Sequence, residues 1–342
     1  MSVFQHRQSA HCESGVMANL LTHAGLPMSE PMAFGLASGL AFAYLPIVKL
    51  GGMPLIAYRM PPRHIIKTLS KRLGARLHTA TFSKPEEGRR ALDSALAEGR
   101  LTGLQSSVFW LPYFPPEMRF HFNAHNLLAY GREGDDYLLS DPVFEEPVRC
   151  ASADLQKARF AKGALAAKGL MYWVEDVPAE QDWERLVRQS LVSTTRILDG
   201  MPLPWIGIRG IRHLAAQIRK LDPAQAKYNR LYLTHIVRMQ EEIGTGGAGF
   251  RFMYASFLQE AGTLLGAAAL NDMAGQLTGI GDDWRQFASA CVRQSRNNKQ
   301  GDGDFGALAE RLESIAVQER ELVRHLAAWA RRRPAAAFHA QG

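Results

Sequence analysis

The segment His11-Cys12-Glu13-Ser14-Gly15 places a thiol where an apolar helical pattern begins. The first N–H groups of a helix have no partner within the helix, and together with the helix dipole they lower the pKa of a cysteine located there. The same N–H groups can bind an oxyanion. Cys12 is therefore a candidate nucleophile. The alternative is that it serves only as a small apolar residue at a helix start.

A histidine and an acid lie about a hundred residues downstream, in a predicted β-hairpin. His125 belongs to the first strand, and Asp141 follows the second strand, directly before Pro142. Antiparallel pairing allows the two side chains to meet across the hairpin. A nucleophilic thiol needs an imidazole that accepts its proton and an acid that orients the imidazole. Without Cys12, the better explanation of the hairpin is a core histidine beside a turn-capping Asp-Pro.

The elements that position these residues change character along the chain. Helices and strands alternate irregularly in the first half, whereas the pattern from about Gln181 onward indicates helices only. The uncharged segment Met32 to Val48 predicts a buried helix and no membrane span, because it is short and contains Pro46. We therefore predict two domains, over 1–178 and 179–332, and a disordered tail over 333–342.

The composition excludes several classes of protein. The chain has 342 residues, a formal net charge of +7 and three widely spaced cysteines, which form neither a disulfide framework nor a zinc site. This usage fits a reducing cytoplasm, and the polar start of the chain lacks a targeting signal. The dispersed positive charge favours an acidic partner. Binding to nucleic acid is not indicated, because the sequence has no stripe of interleaved basic and aromatic residues. His121 and His125 have a metal-ligand spacing but lie in a strand-like segment, so we predict no metal site.

A glycine-rich segment precedes Arg251. Its G-x-G-x-x-G spacing follows a predicted helix, whereas a dinucleotide site would require a strand there. The exposed N–H groups and the arginine can bind an acidic or carbonyl part of a substrate, against the cleft of the first domain, which makes Gly246, Gly247 and Arg251 candidate binding residues. The alternative is that the glycines only turn the chain and that Arg251 pairs with a nearby carboxylate. The candidates for that pairing are Glu241, Glu242 and Glu260.

The order Cys12, His125-x-x-x-x-x-Gly131 and Asp141-Pro142 resembles the papain-like clan, and especially the C39-type peptidases. The sequence resembles the BtrH-like acyltransferase family of butirosin biosynthesis more closely still. Segments that resemble the N-terminal domain of this family are His11–Glu13, Ser29–Gly35 and Gly39–Phe42, and the segment that resembles the following helical domain is Gly244–Glu260. The resemblance implies an α+β papain-like domain followed by an all-α domain.

The resemblance also implies an activity. Cys12 would accept an acyl or aminoacyl group from the phosphopantetheine arm of an acyl carrier protein, and an amine would then attack the acyl-enzyme, in specialised metabolism. Carrier proteins are acidic, which suits the basic charge of this chain. No other cofactor is expected, and the oligomeric state stays open. A thioesterase or peptidase of the same fold and a non-catalytic binding protein are the alternatives; shielding by the helical domain would favour transfer over hydrolysis.

The oxyanion hole is the point where the chain departs from the papain-like pattern. That clan places a glutamine about six residues before the cysteine, whereas this chain has His6 there. We therefore predict a hole formed by the Cys12 backbone N–H, with Gln5 and Gln8 as candidate side-chain donors.

Overall fold

The computed structural model describes residues 4–50, 52–297 and 304–332, and it divides the chain into two compact units. The first unit comprises Met1–Ala37 and Pro61–Gln181, and the second comprises Ser38–Met60 and Asp182–Gly342. The predicted α+β class with a helical second part is confirmed. The predicted disordered tail lies outside the described residues.

The elements are numbered in chain order across both units. In the described residues the strands are β1 Leu40–Leu50, β2 Met53–Arg59, β3 Arg76–Ala80, β4 Thr102–Ser106, β5 His125–Glu133, β6 Asp136–Ser140, β7 Val148–Ala151 and β8 Met171–Asp176. The α-helices are α1 Cys12–His23, α2 Glu30–Leu36, α3 His64–Leu73, α4 Pro85–Ala97, α5 Ser152–Arg159, α6 Trp183–Thr195, α7 Gly207–Arg219, α8 Ala226–Val237, α9 Arg251–Leu265, α10 Ala268–Asn297 and α11 Phe305–Arg331.

The first unit is organised by a six-stranded antiparallel sheet in the order β3-β8-β4-β5-β6-β7. Apolar side chains of its central strands form one core with α4 and α5, and Leu104, Leu127 and Leu139 are fully buried there. Helix α1 packs against β4, β5 and β8. Because Val16 and Leu21 are fully buried, burial of apolar area fixes the helix whose first residue is Cys12.

The helix predicted over Met32 to Val48 is wrong. Helix α2 ends at Leu36, Ser38 takes a left-handed φ of 54°, and the chain continues as β1. An uncharged apolar segment suits a buried strand as well as a buried helix, so its hydropathy could not separate the two. Pro46 falls in a register irregularity between Leu45 and Lys49, which is where a sheet tolerates proline.

Strands β1 and β2 form a two-stranded antiparallel sheet that belongs to the second unit. The backbone of Tyr44 donates to Trp205 O at 2.9 Å, and the Tyr232 hydroxyl donates to the Tyr44 hydroxyl at 3.0 Å. The predicted first domain had included this segment. Its hydrogen bonds explain why it joins the helices instead.

In the described residues, the rest of the second unit consists of helices and their connections, as predicted. Helix α10 extends over 30 residues, from Ala268 to Asn297. Within the described ranges, no helix is long and apolar enough to cross a membrane.

Candidate active site

The start of α1 is built by three polar side chains. His11 is the N-cap residue, and its ring nitrogen Nδ1 accepts from the Ser14 backbone N–H at 3.4 Å. The Glu30 carboxylate accepts from the backbone N–H groups of Ala10 and His11, at 2.9 and 2.7 Å, and from the Ser14 hydroxyl at 3.1 Å. These bonds fix the backbone that presents Cys12.

The segment before α1 is tied to the loop that follows β6. Ser9 N donates to Pro142 O at 2.9 Å, and the His6 ring bonds the Ser140 hydroxyl at 2.7 Å. A Cβ at Gly15 would come within 2.5 Å of Ser9 Cβ, so glycine permits this close approach. The bonds therefore bring the helix start and the Asp141 loop to one place.

His125 and Asp141 meet as the hairpin predicted. Nε2 of His125 lies 2.7 Å from Oδ2 of Asp141, and the two side chains are 5% and 0% exposed. The Tyr113 hydroxyl donates to the same carboxylate oxygen at 2.9 Å, and the Val143 N–H donates to Oδ1 at 3.1 Å. Burial first, and then the charge of Asp141, raises the pKa of Tyr113 well above its usual range, so that this hydroxyl stays a donor.

The side chain of His125 also hydrogen-bonds Cys12. Because Nε2 faces Asp141, Nδ1 is the ring nitrogen that remains for the thiol. Burial lowers the pKa of His125, but the Asp141 carboxylate, through its charge and its hydrogen bond, and Cys12 outweigh this and raise it to about 10. At neutral pH the imidazole is therefore protonated, and an imidazolium beside a thiol favours the thiolate.

The side chain of Asn126 is a part of this site that the sequence analysis missed. Its Nδ2 lies 3.9 Å from Cys12 Sγ and donates to Ala124 O at 3.1 Å, while its Oδ1 accepts from the Tyr172 hydroxyl at 3.0 Å. An amide directly after His125, at the start of an apolar strand, is the one signal that the sequence offered. Tyr172 lies two strands away in the sheet and offered none.

Neither glutamine predicted as an oxyanion donor is seen to contact Cys12 in the described residues, and their role in the hole stays a prediction. Gln5 and Gln8 are both exposed, and Gln8 Nε2 donates to Val143 O at 3.2 Å. His6, at the position where papain-like proteins have glutamine, is bonded to Ser140 and to Phe144 O. The bonds of His6 and Gln8 thus anchor the loop, whereas Asn126 has a side-chain amide that contacts the thiol.

The glycine-rich segment and Arg251 form hydrogen bonds with other residues of the second unit. Gly246 and Gly247 have left-handed φ values of 65° and 87°, and Gly247 N donates to Thr245 Oγ1 at 3.1 Å. The Ala248 N–H donates to the Glu241 carboxylate at 3.2 Å. These contacts indicate that the glycines turn the chain, as the structural alternative predicted.

The partner of Arg251 differs from the carboxylates that the sequence suggested. Its fully buried guanidinium bonds both oxygens of Glu319, with Nε at 2.8 Å and Nη2 at 3.1 Å, and donates to Gly249 O at 2.8 Å. The partner is therefore not Glu241, Glu242 or Glu260, because the ion pair forms between α9 and α11. The contacts favour a structural role, and substrate binding by Gly246, Gly247 and Arg251 stays a prediction.

The other two cysteines contrast with Cys12. Burial raises the pKa of Cys150 to about 12 and also raises the pKa of Cys291, whereas Cys12 is partly exposed. Among the described residues, no group of three histidine, cysteine or acidic side chains could hold a metal ion. Of these three thiols, Cys12 is therefore the candidate nucleophile.

Two family models match this chain. Residues 11–142 match the family described as butirosin biosynthesis protein H, N-terminal, and residues 153–326 match the family described as a domain of unknown function (DUF4872). The second match spans more than half of the chain, which therefore belongs to that family. The first match confirms the BtrH-like N-terminal domain that the residues around Cys12 predicted.

Comparison with solved structures gives a weaker similarity. A crystal structure described as a C39-like peptidase, from Bacillus anthracis, is similar over 52% of this chain and 98% of that chain, with 14% identity and a TM-score of 0.36. A similarity of this size supports no argument about fold or activity. No match was found among curated proteins. The family match and the geometry around Cys12 together support a cysteine enzyme of the papain-like class.

Proposed function

We propose that this protein is an acyltransferase that moves an acyl or aminoacyl group from an acyl carrier protein thioester to an amine, through an acyl-enzyme on Cys12. The observation that supports it best is the chain of contacts from the partly exposed Cys12 through the buried His125 to the buried Asp141. The family match to a biosynthesis protein and the net charge of +7 add support, because carrier proteins are acidic. A cytoplasmic location belongs to the same proposal.

The roles follow from the contacts. The Cys12 thiolate attacks the thioester carbonyl, its new C–S bond forms, and the carbonyl electrons move to oxygen. Collapse of the tetrahedral intermediate breaks the bond to the phosphopantetheine sulfur, which takes the proton from the His125 imidazolium. The neutral imidazole then accepts a proton from the attacking amine, and the second collapse releases the amide and restores the thiolate. Asp141 holds the ring in place throughout.

The proposal is tested by intact mass after incubation with a panel of acyl-loaded carrier proteins. We expect a covalent increment equal to the acyl group on the wild-type protein, and its loss on addition of the correct amine together with formation of an amide. Hydrolysis at equal rates with and without amine would instead identify a thioesterase. No increment with any donor, from a protein whose thiol reacts normally with iodoacetamide, would contradict acyl transfer.

A further inference from the structure

The side chain of Asn126 is an amide fixed on three sides next to a reactive sulfur. It is fully buried, and both of its polar atoms have partners. Its Nδ2 donates to Ala124 O and lies 3.9 Å from Cys12 Sγ, and its Oδ1 accepts from the Tyr172 hydroxyl. A buried amide that only filled space would not need to face sulfur, which is a weak acceptor. The orientation therefore calls for an explanation.

Tyr172 determines which end of the amide faces the thiol. Its hydroxyl is buried in full, and burial first, then the charges of Glu13 and Cys12, raises the pKa of Tyr172 well above its usual range. A hydroxyl that keeps its proton can donate to Oδ1, and this bond holds Nδ2 towards Cys12. If the amide were turned over, Tyr172 would face Nδ2 and a carbonyl oxygen would face the thiolate, which repels it.

An acyl group bonded to Sγ places its carbonyl oxygen beside the sulfur. A donor at 3.9 Å from Sγ can bond that oxygen without contacting the sulfur first, because the carbonyl carbon and oxygen extend outward from Sγ. The Cys12 N–H belongs to the first turn of α1, where N–H groups point out of the helix end. The two donors come from different elements, and both lie beside the same sulfur.

We propose that Asn126 Nδ2 is the side-chain donor of the oxyanion hole, acting with the Cys12 N–H, and that Tyr172 is the residue that positions it. The inference rests on the proposed acyl-enzyme chemistry. During attack, the S–C bond forms and the carbonyl electrons move to oxygen; Nδ2 donates a hydrogen bond to that oxygen and keeps its proton. Collapse of the intermediate returns the electrons and expels the leaving group. The hole thus draws its amide from β5 and not from the segment before Cys12.

The test compares two reagents that attack the same thiol. Acylation by p-nitrophenyl acetate passes through an oxyanion, whereas alkylation by iodoacetamide does not. For Asn126→Ala we expect acylation to slow about 10²- to 10³-fold, the loss typical of one oxyanion donor, with alkylation changed only a few-fold. For Tyr172→Phe we expect a smaller loss of acylation, because the amide stays but can turn over.

Two further variants guard against a general loss of structure. Asn123→Ala is the matched control: Asn123 is also buried, but its amide donates to Lys162 O and Ala164 O. We expect it to leave the ratio of acylation to alkylation unchanged. The double variant Asn126→Leu with Tyr172→Phe removes both partners of the Asn126–Tyr172 bond together, so that neither side chain keeps an unpaired buried group and Ala124 O alone loses this donor. It should therefore fold if Asn126→Ala does not.

The outcomes separate this inference from the proposed function. Equal acylation by the wild-type protein and both Asn126 variants would overturn the assignment, and so would a parallel loss of acylation and alkylation, which would mean that Asn126 only stabilises the thiolate. If carrier-bound donors fail on the wild type while the ester acylates Cys12 in an Asn126-dependent way, the proposed function fails and the oxyanion assignment stands.

Discussion

Two buried carboxylates, Asp141 in the first unit and Glu319 in the second, each meet a basic side chain in a site closed to solvent. Asp141 is 0% exposed and faces His125, and Glu319 is 4% exposed and faces Arg251. Each carboxylate has a further aromatic donor, the Tyr113 hydroxyl at 2.9 Å and the Trp284 indole at 2.7 Å. The two sites thus satisfy their carboxylates in the same way.

The difference lies in the cation. Arginine is always protonated, and the guanidinium of Arg251 directs its bonds to Glu319 and Gly249 O, with Trp284 and Tyr58 against its faces. Histidine can lose its proton, and the ring of His125 reaches Cys12 beyond Asp141. One buried pair therefore holds helices together, whereas the other passes the effect of its charge to a thiol.

The largest effect is expected at the thiol that the first pair serves. Cys12→Ala should abolish acylation while the protein stays folded, and Cys12→Ser should be nearly as inactive, because an imidazole alone activates an alcohol poorly. Intact mass after donor incubation measures both. The matched control is Cys150→Ala, which removes a buried thiol and should keep the increment. Acylation of Cys12→Ala at the wild-type rate would refute the mechanism.

The second effect concerns the ion pair between Arg251 and Glu319. Arg251→Ala leaves the Glu319 charge buried without its partner, and we expect a loss of about 3–5 kcal/mol in the free energy of unfolding. Chemical denaturation measures it, and the acylation rate of the protein that remains folded should be unchanged. Arg219→Ala breaks the exposed ion pair with Glu313 and should cost about 0–1 kcal/mol. A folded Arg251→Ala protein of normal stability that no longer accepts the donor would restore the substrate-binding hypothesis.

The third effect is on the pH dependence of the thiol. Because His125 keeps its proton up to about pH 10, the imidazolium accompanies the thiol across neutral pH, and the wild-type alkylation rate should be flat from about pH 7 to that limit. In His125→Ala the rate should rise with pH around a midpoint of about 8.5, the pKa of an ordinary thiol, with a loss of about thirtyfold at pH 7. Iodoacetamide rates across the pH range measure this. Superimposable profiles would show that the histidine does not act on Cys12.

The smallest effect is expected at the orienting acid. Asp141→Asn keeps the shape but removes the charge that raises the pKa of His125, so the alkaline end of the flat region should move to lower pH while the rate at pH 7 changes only a few-fold. The same alkylation profile measures it. Glu319→Gln is the counterpart in the second unit and should leave the profile unaltered. If the alkylation profile of Asp141→Asn were identical to that of the wild type, Asp141 would have no effect on the reactivity of Cys12.

The two halves of the site were not equally predictable from the sequence. Cys12, His125 and Asp141 are the residue types that a cysteine nucleophile requires, and a hairpin brings the last two together locally. Asn126 and Tyr172 meet only because β4 separates β5 from β8 in the sheet, and strand order does not appear in a hydropathy pattern. Tyr113 stands among other aromatic residues, where nothing marks it as the partner of Asp141.

The wrong predictions for residues of the second unit have the same origin. Glu319 follows Arg251 by 68 positions, so the candidates closest in sequence were not the ones closest in space. Residues over Met32 to Val48 carry an apolar pattern that fits two structures, and the choice of β1 depends on bonds to residues far along the chain, such as Trp205 and Tyr232. The hydropathy pattern of a segment predicts which of its residues are buried, whereas contacts with distant residues determine whether the segment forms a helix or a strand.

The placement of β1 and β2 in the second unit has a consequence for synthesis on the ribosome. Phe42 and Tyr58 on these strands pack against the ring of Trp284, which is synthesised more than two hundred residues after them. At roughly 5–20 residues per second, Tyr58 waits about 10–45 s for that partner. During this interval an apolar hairpin is held without its core, while the flanking segments of the first unit can already pair. The apolar side chains of this hairpin are therefore exposed until Trp284 has been made, and transiently exposed apolar surface of this kind is prone to aggregate.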